Sequence, residues 1–245
     1  RGGWSGGHNH TPEALADDVF SAAAPNHPGD NGNDSSRRDS LSVLASRPED
    51  MIRLLDFMLN AWKDRVAIDP ARIGFFGFSA GAYTGLVLAG GNPDFRRIAP
   101  YCTEPDKSPA CEQFRRGYIP SNLPHDSRIR AAALADTAVN YAFTSEGLAG
   151  IRIPLLIWRS EFGGGGVDPK GSAHTAGSLP GKPDIHTVAA SHFAFLPPCP
   201  PPLAAAVPRI CTDKPADFDR AAFHRDFNAS IVGFLRERLG DGMAR

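Results

Sequence analysis

The chain is predicted to adopt an α/β fold with a mostly parallel central sheet and helices on both faces. Short apolar segments alternate with amphipathic stretches, and turn-forming residues separate them, which is typical of this class. Polar residues suited to catalysis follow several apolar segments, where the carboxyl ends of parallel strands meet. We expect a single domain at residues 1–245, with an irregular insertion at residues 92–127 near the site.

Five apolar segments are predicted to be strands: residues 19–24, 72–76, 129–135, 153–158 and 184–189. Helices are expected between them because apolar residues recur there at helical spacing. The clearest helical stretches begin at Thr11 or lie at residues 47–63, 82–89 and 218–239. The last should bury Phe223, Phe227, Ile231 and Phe234.

The pentapeptide Gly-Phe-Ser-Ala-Gly at residues 77–81 matches the G-x-S-x-G nucleophile elbow, with a strand predicted before it and a helix after it. At such a turn a serine hydroxyl is held exposed in strained backbone geometry, and small neighbours let the strand and helix approach closely. Ser79 is therefore the candidate nucleophile. The backbone N–H of Ala80, at the helix start, would face a negative oxygen that forms beside it.

Composition excludes some classes of partner. Charged residues make up 22% of the chain and the formal net charge is −1, so nothing in the charge balance favours nucleic acid or an anionic membrane. No apolar run approaches the roughly 20 residues that would span a bilayer.

The four cysteines form two local pairs in loop-like sequence, and none has the C-x-x-C spacing of a zinc or redox site. We expect the disulfides Cys102–Cys111 and Cys199–Cys211. Disulfides persist in oxidising compartments, so the protein is predicted to be periplasmic or secreted.

Residues 1–10 form a glycine-rich stretch that is expected to supply a second oxyanion N–H, from Trp4 or Ser5. His8 and His10 lie in the same stretch. With no third ligand nearby, we interpret them as solvated loop residues rather than metal ligands.

A serine nucleophile needs a base, and the order serine, acid, histidine is the one that elbow hydrolases use. His192 alone follows both a late strand and the acid candidates. Asp136 and Glu161 each end a predicted strand, so either could orient the imidazole; Asp168 is a weaker candidate. Spacing along the chain slightly favours Glu161.

The chain resembles an α/β-hydrolase of the dienelactone-hydrolase-like group that includes the platelet-activating-factor acetylhydrolases. The matching segments are Gly-Gly-Trp-Ser-Gly at residues 2–6, Ala-Pro-Asn-His-Pro-Gly at 24–29, the elbow at 77–81, Ala-Leu-Ala-Asp at 133–136, Arg-Ser-Glu-Phe at 159–162 and Ser-His-Phe-Ala-Phe-Leu at 191–196. This resemblance favours Asp136 as the acid.

The chain departs from that group in two ways. Dienelactone hydrolases carry cysteine at the elbow, whereas this chain has Ser79. The resemblance also implies a central strand before the glycine-rich loop, so we expect a separate N-terminal segment, in a longer chain or another chain, that completes the sheet.

The sequence thus predicts a serine ester hydrolase acting on a small-molecule ester, such as a short-chain acyl ester, through an acyl-enzyme. Serine chemistry of this kind requires no metal and no organic cofactor. Two alternatives stay open: a peptidase or acyltransferase on the same fold, and a catalytically inactive hydrolase-fold binding protein.

Overall fold

The computed structural model describes residues 3–18 and 20–240. Its strands are β1 Ile73–Phe78, β2 Ile129–Ala135, β3 Leu155–Ser160 and β4 Asp184–Val188. Its α-helices are α1 His10–Asp17, α2 Leu41–Asn60, α3 Ala80–Leu88, α4 Pro109–Arg115, α5 Ser145–Leu148, α6 Pro169–Gly177, α7 Pro201–Ala206, α8 Pro208–Cys211 and α9 Arg220–Leu239. Short 3₁₀-helices lie at Arg65–Ala67, Phe95–Tyr101, Asn140–Ala142 and His192–Phe195.

The strands form one parallel sheet in the order β1-β2-β3-β4, so strands that follow each other in the chain are also neighbours in space. All strands therefore end at the same edge of the sheet. This arrangement confirms the predicted fold class, and it brings together the polar residues that follow the strands.

Each face of the sheet carries its own hydrophobic core. Along β2, Ala132 and Leu134 face the core shared with α2 and α3, whereas Ala131, Ala133 and Ala135 face the core shared with α1 and α9. Successive side chains of a strand point to opposite faces. A strand covered on both faces is apolar at nearly every position, which explains the apolar run at residues 131–135 that identified β2; Arg130, near the start of the strand, is exposed.

Helix α2 begins earlier than the predicted residue 47, because Ser40 caps it at the N-terminus and accepts a hydrogen bond from the Val43 N–H. Pro48 consequently lies inside the helix, where its missing N–H leaves the carbonyl of Leu44 without an intrahelical donor. The hydroxyl of Tyr83 donates to that carbonyl at 3.2 Å. The proline is tolerated because a side chain from α3 replaces the lost donor.

The strand predicted at residues 19–24 is not formed. Residues 20–24 have no regular secondary structure, and Val19 lies outside the described residues. A strand requires a neighbour with which to exchange hydrogen bonds, and within the described residues none lies beside this segment. A cavity separates it from β1 instead.

Two other segments differ in detail from the structure that the sequence predicted. Strand β3 begins at Leu155 rather than at residue 153 because Pro154 has no N–H to donate, and it extends to Ser160. Residues 92–127, expected to be irregular, contain the 3₁₀-helix Phe95–Tyr101 and helix α4.

Helix α9 closes the second core. It buries Phe223, Phe227, Ile231 and Phe234, as its periodicity predicted, and its N-cap Asp219 accepts a hydrogen bond from the Ala222 N–H. Among residues 3–18 and 20–240, no helix is both long enough and apolar enough to cross a membrane.

Candidate active site

Ser79 lies in a strained turn between β1 and α3, with φ 57° and ψ −114°. Residues with a side chain rarely adopt positive φ, and such strain persists only where the surroundings hold it. The Ser79 N–H donates to the carbonyl of Ala135 at 2.9 Å, and the Ser79 carbonyl accepts from the N–H groups of Tyr83 and Ala138, each at 3.1 Å. Strand β2 and helix α3 thus fix the turn on both sides.

Gly77 makes this turn sterically possible. A Cβ atom at that position would lie 2.4 Å from the carbonyl oxygen of Gly81, closer than real Cβ contacts come. Gly85 has a similar role further along α3, where a Cβ would lie 2.5 Å from Leu134 Cδ2. Helix α3 can approach the sheet this closely only because both residues lack side chains.

Three side chains that are far apart in the sequence form one hydrogen-bonded chain at the edge of the sheet. The Ser79 Oγ lies 3.0 Å from His192 Nε2, and His192 Nδ1 lies 2.6 Å from Asp136 Oδ2. All three residues are buried. With its ring proton on Nδ1, His192 donates to the carboxylate and accepts the serine hydroxyl proton at Nε2.

The Asp136 carboxylate accepts further hydrogen bonds from a residue that sequence reasoning did not single out. Ser160, the last residue of β3, donates its N–H to Oδ1 at 2.9 Å and its hydroxyl to Oδ2 at 2.7 Å. A buried carboxylate without such donors would be costly, so these bonds keep Asp136 in place beside His192. Ser160 is the last residue of β3, at the same edge of the sheet as Ser79 and Asp136, and this position was the signal in the sequence that could have identified it.

The His192 ring is held on several sides. Phe78 stacks on it with ring centroids 4.6 Å apart, and the His192 N–H donates to the Gly163 carbonyl at 2.7 Å. The Gly165 backbone lies against the same ring, so that a Cβ at Gly165 would come within 2.5 Å of His192 Cδ2. The glycine run at 163–166 therefore allows the backbone to pack against the imidazole, a role that its composition alone did not reveal.

The structure places the other two acid candidates elsewhere. Glu161 is exposed, and its backbone N–H donates to Val188 in β4. Asp168 caps helix α6, where its carboxylate accepts from the N–H groups of Lys170 and Gly171. Because β2 is the strand next to β1, a carboxylate at its end lies closer to the elbow than one that follows β3.

The proposed oxyanion donors lie on the elbow helix and on the N-terminal loop. Ala80 is the first residue of α3, so its N–H has no carbonyl partner within the helix. The Ser5 N–H donates to Asn26 Oδ1 at 2.8 Å, which leaves Trp4 as the candidate donor from the loop. Trp4 is 49% exposed and lines the same cavity as Ser79.

His8 is not the solvated loop residue that the sequence predicted. Its ring packs edge-on against Phe76 and Phe78, with centroids 5.6 and 5.0 Å apart. The pKa of His8 is lowered to about 3. Burial in this apolar contact is the main cause, and the nearby His224 is the second. His10, by contrast, is exposed. In the described part of the chain, no three His, Cys, Asp or Glu residues are grouped as metal ligands.

A cavity of about 1060 Å³ opens in front of Ser79 and continues along the outer edge of β1. The elbow and His192 form part of its wall, and Trp4, Phe193, Leu203 and Val207 also line it. A cavity of this size is large enough to hold a small organic molecule beside Ser79.

Both predicted disulfides are present. Cys102–Cys111 joins the end of the 3₁₀-helix Phe95–Tyr101 to α4, and Cys199–Cys211 closes a loop that contains α7 and α8. The second disulfide lies next to the cavity, since residues 203, 207, 209 and 210 of its loop line the cavity wall.

No family model matches the chain, and no curated protein matches it. Among solved structures, the chain is similar to a ferulic acid esterase from Streptomyces cinnamoneus, with a TM-score of 0.52 and 18% sequence identity. The match covers 99% of this chain and 68% of that protein's chain. The fold is that of an α/β-hydrolase. At this identity the likeness extends to the fold alone, so the chemistry depends on the site itself.

Proposed function

We propose that this protein is a serine ester hydrolase that cleaves carboxylic esters through an acyl-enzyme. The observation that carries the proposal is the hydrogen-bonded chain Ser79–His192–Asp136 at a strained strand-to-helix turn. A strained serine within reach of an imidazole, itself oriented by a buried carboxylate, is the constellation that activates a hydroxyl for attack on a carbonyl.

In the proposed first step, His192 Nε2 removes the Ser79 hydroxyl proton while Ser79 Oγ forms a bond to the ester carbonyl carbon. The carbonyl electron pair moves onto the oxygen, and the N–H groups of Ala80 and Trp4 stabilise this oxyanion. Each such donor is typically worth about 3–4 kcal/mol of transition-state stabilisation. Asp136 stabilises the imidazolium and keeps the ring oriented.

In the second step, the bond between the carbonyl carbon and the alcohol oxygen breaks, and the alcohol leaves with the proton from His192. Water then enters, His192 takes one of its protons, and the resulting hydroxide attacks the acyl group on Ser79. Collapse of this intermediate releases the carboxylic acid and returns the proton to Ser79. The proton transfers in this cycle involve only Ser79, His192, the leaving alcohol and water.

Similarity to a ferulic acid esterase supports an ester as the substrate class. The two disulfides support a periplasmic or secreted location, which we propose for this protein. Assignment to the dienelactone-hydrolase-like or acetylhydrolase group also remains a proposal, which the Ser-Glu-Phe segment at 160–162 and the position of Asp136 favour.

The decisive experiment combines p-nitrophenyl acetate hydrolysis with labelling by a fluorophosphonate. We expect ester hydrolysis and labelling of Ser79, and loss of both in Ser79→Ala. Amide and acyl-transfer substrates run in parallel: faster cleavage of a peptide p-nitroanilide, or acyl transfer to an added alcohol in preference to water, would favour the alternative enzymes. A folded protein that is neither labelled nor active would favour the inactive binding protein.

The outer edge of β1 supports a further element of the proposal, that an additional strand completes the sheet. The Ser79 N–H points toward β2, and peptide groups alternate along a strand, so those of Phe76 and Phe78 point away from β2 and toward the cavity. Within residues 3–18 and 20–240 no strand pairs with this edge. A strand of about six residues, roughly 20 Å long, would match the length of β1.

Amide hydrogen exchange tests the additional strand. In the chain of 245 residues we expect the amides of Phe76 and Phe78 to exchange faster than those of Phe75 and Gly77, which face β2. Equal protection of all four amides would mean that the chain closes its own sheet, and the proposed additional strand would then be wrong.

A further inference from the structure

The disulfide-closed loop at residues 199–211, here called the 199–211 loop, forms one wall of the cavity in front of Ser79. Leu203, Val207 and Ile210 contribute apolar side chains to this wall, and Phe193 continues it toward His192. In the sequence the loop begins soon after His192, and the short segment between them contains two prolines. Ser79 and this loop line the same cavity, so the loop faces the space open to a group attached to an ester bound at Ser79.

The apolar side chains of this loop do not serve the protein core. Within the described residues, Leu203, Val207 and Ile210 belong to neither of the two hydrophobic cores, and Val207 is 38% exposed. Apolar side chains that line a cavity gain free energy when another apolar surface, such as that of a ligand, covers them. Their position favours a ligand with an apolar surface rather than a structural role.

The loop is also held in a fixed shape. Helices α7 and α8 have six and four residues, too short to be stable alone in water. Cys199–Cys211 closes the loop, and the buried Arg220 donates to the Ile210 carbonyl at 3.0 Å while it pairs with Asp213 at 2.7 Å. The Arg209 guanidinium lies over the Phe193 ring, 5.3 Å from its centroid. A wall fixed in this way forms a binding surface before the ligand arrives, which lowers the entropic cost of binding.

We infer that the 199–211 loop is the specificity wall of the site, and that it binds an apolar group of the ester, an alkyl chain of about four carbons or more or an aromatic ring. The inference rests on the proposed ester hydrolysis and goes beyond it, because it names the preferred substrates: esters with a bulky apolar group rather than acetates of small alcohols.

The test compares kcat/KM across two series of esters, because the apolar group can be on either side of the ester bond. The acyl series is p-nitrophenyl acetate and p-nitrophenyl hexanoate; the alcohol series is ethyl acetate and hexyl acetate. In at least one series we expect the longer ester to be preferred by about tenfold or more, and the double variant Leu203→Ala with Val207→Ala to lower that preference about tenfold.

A second variant and two controls keep the test independent of folding. Cys199→Ser with Cys211→Ser releases the wall and should lower the same preference. Cys102→Ser with Cys111→Ser removes the disulfide that does not line the cavity, and Val66→Ala repeats a valine truncation at a position that is 89% exposed. Neither control should change the preference, and circular dichroism checks that each variant is folded.

The outcomes separate the inference from the proposed function. Loss of preference in the acyl series alone or in the alcohol series alone supports the inference and assigns the wall to that side of the ester. If the wild-type protein hydrolyses esters but neither loop variant alters the preference, the inference is wrong and the proposed function stands. If it hydrolyses no ester and Ser79 is not labelled, both are wrong.

Discussion

The two ends of the candidate site are built in different ways. On the side of β2 and β3, Ser79, His192, Asp136 and Ser160 form a continuous set of short hydrogen bonds, and every member is buried. On the opposite side, residues 20–24 run without regular structure across a cavity from the outer edge of β1. The proposed reacting groups are therefore fixed by the sheet, whereas the surface proposed to face the substrate comes from loops.

This difference indicates where precision is required. A proton relay fails when its atoms move by about 1 Å, so its residues lie at the ends of strands and are held by backbone contacts. A binding surface tolerates variation, and loops anchored at a few points can supply it. We therefore expect substitutions on the sheet side to abolish chemistry, and substitutions on the loop side to alter stability or substrate preference.

The largest expected effect is that of Asp136→Asn. An amide in place of the carboxylate would favour the wrong imidazole tautomer, so kcat for p-nitrophenyl acetate should fall about 10⁴-fold. Glu161→Gln is the matched control, since Glu161 is exposed and should change kcat less than about twofold. Equal losses in both variants, or a larger loss in Glu161→Gln, would reject Asp136 as the acid.

The next effect concerns an ion pair that joins the N-terminal side to the elbow helix. Arg47 and Asp30 are both buried, with Arg47 Nη1 3.0 Å from Asp30 Oδ2, and Arg47 Nε donates to the hydroxyl of Thr84. Burial lowers the pKa of the guanidinium, and the nearby Asp30 opposes that shift. Arg47→Met should lower the free energy of unfolding by about 3–5 kcal/mol, because the buried Asp30 would lose its ion pair with Arg47.

Urea unfolding under oxidising conditions measures this loss. Arg53→Met is the control: Arg53 pairs with Glu49 and Asp50 of the same helix, but its own side chain is 67% exposed, so its removal should cost less than about 1 kcal/mol. The double variant Arg47→Met with Asp30→Asn should regain some of the stability. A loss no larger than that of Arg53→Met would show that the pair does not tie the two regions together.

Ser160→Ala is expected to have a smaller effect on chemistry. It removes the hydroxyl that donates to Asp136 Oδ2 and keeps the backbone N–H that donates to Oδ1. Hydrogen bonds to charged groups are worth about 1.5–3 kcal/mol, so kcat should fall by about tenfold to a hundredfold. Ser172→Ala, at another buried serine, should change kcat less than about twofold. Equal losses of kcat in both variants would count against a specific role for Ser160.

The sequence predicted the features of the site that depend on residues close together in the chain. Strand β2 is apolar at nearly every position because it is covered on both faces, and Ser79 was identified by a motif whose glycine at position 77 is sterically required. The disulfides were predictable because each pair of cysteines is close in the chain.

Features that depend on distant neighbours were not predictable in this way. Asp136 and Glu161 both follow strands, and only the spatial order of β1, β2 and β3 decides which of them contacts His192. The segment at 19–24 has the composition of a strand, but a strand also requires a partner. His8 has a polar local sequence, yet it packs on the side chains of Phe76 and Phe78 from β1.

The smallest expected effect is the contribution of His8 to stability at acid pH. In the folded protein its pKa is about 3, whereas in the unfolded chain it returns to about 6.5. Between these values the unfolded state binds more protons, so stability falls as the pH falls through this window.

His8→Gln should reduce the stability lost between pH 7.5 and pH 5.5 by about 1 kcal/mol. The pKa values of His27 and His224 are also lowered by burial, but both residues are present in either protein, so the difference reports mainly the loss of His8. His125→Gln, at an exposed position, should not alter the pH dependence. If urea unfolding gives the same pH dependence for the wild-type protein and for His8→Gln, the His8 ring is hydrated in solution and the loop at residues 3–9 does not pack on β1.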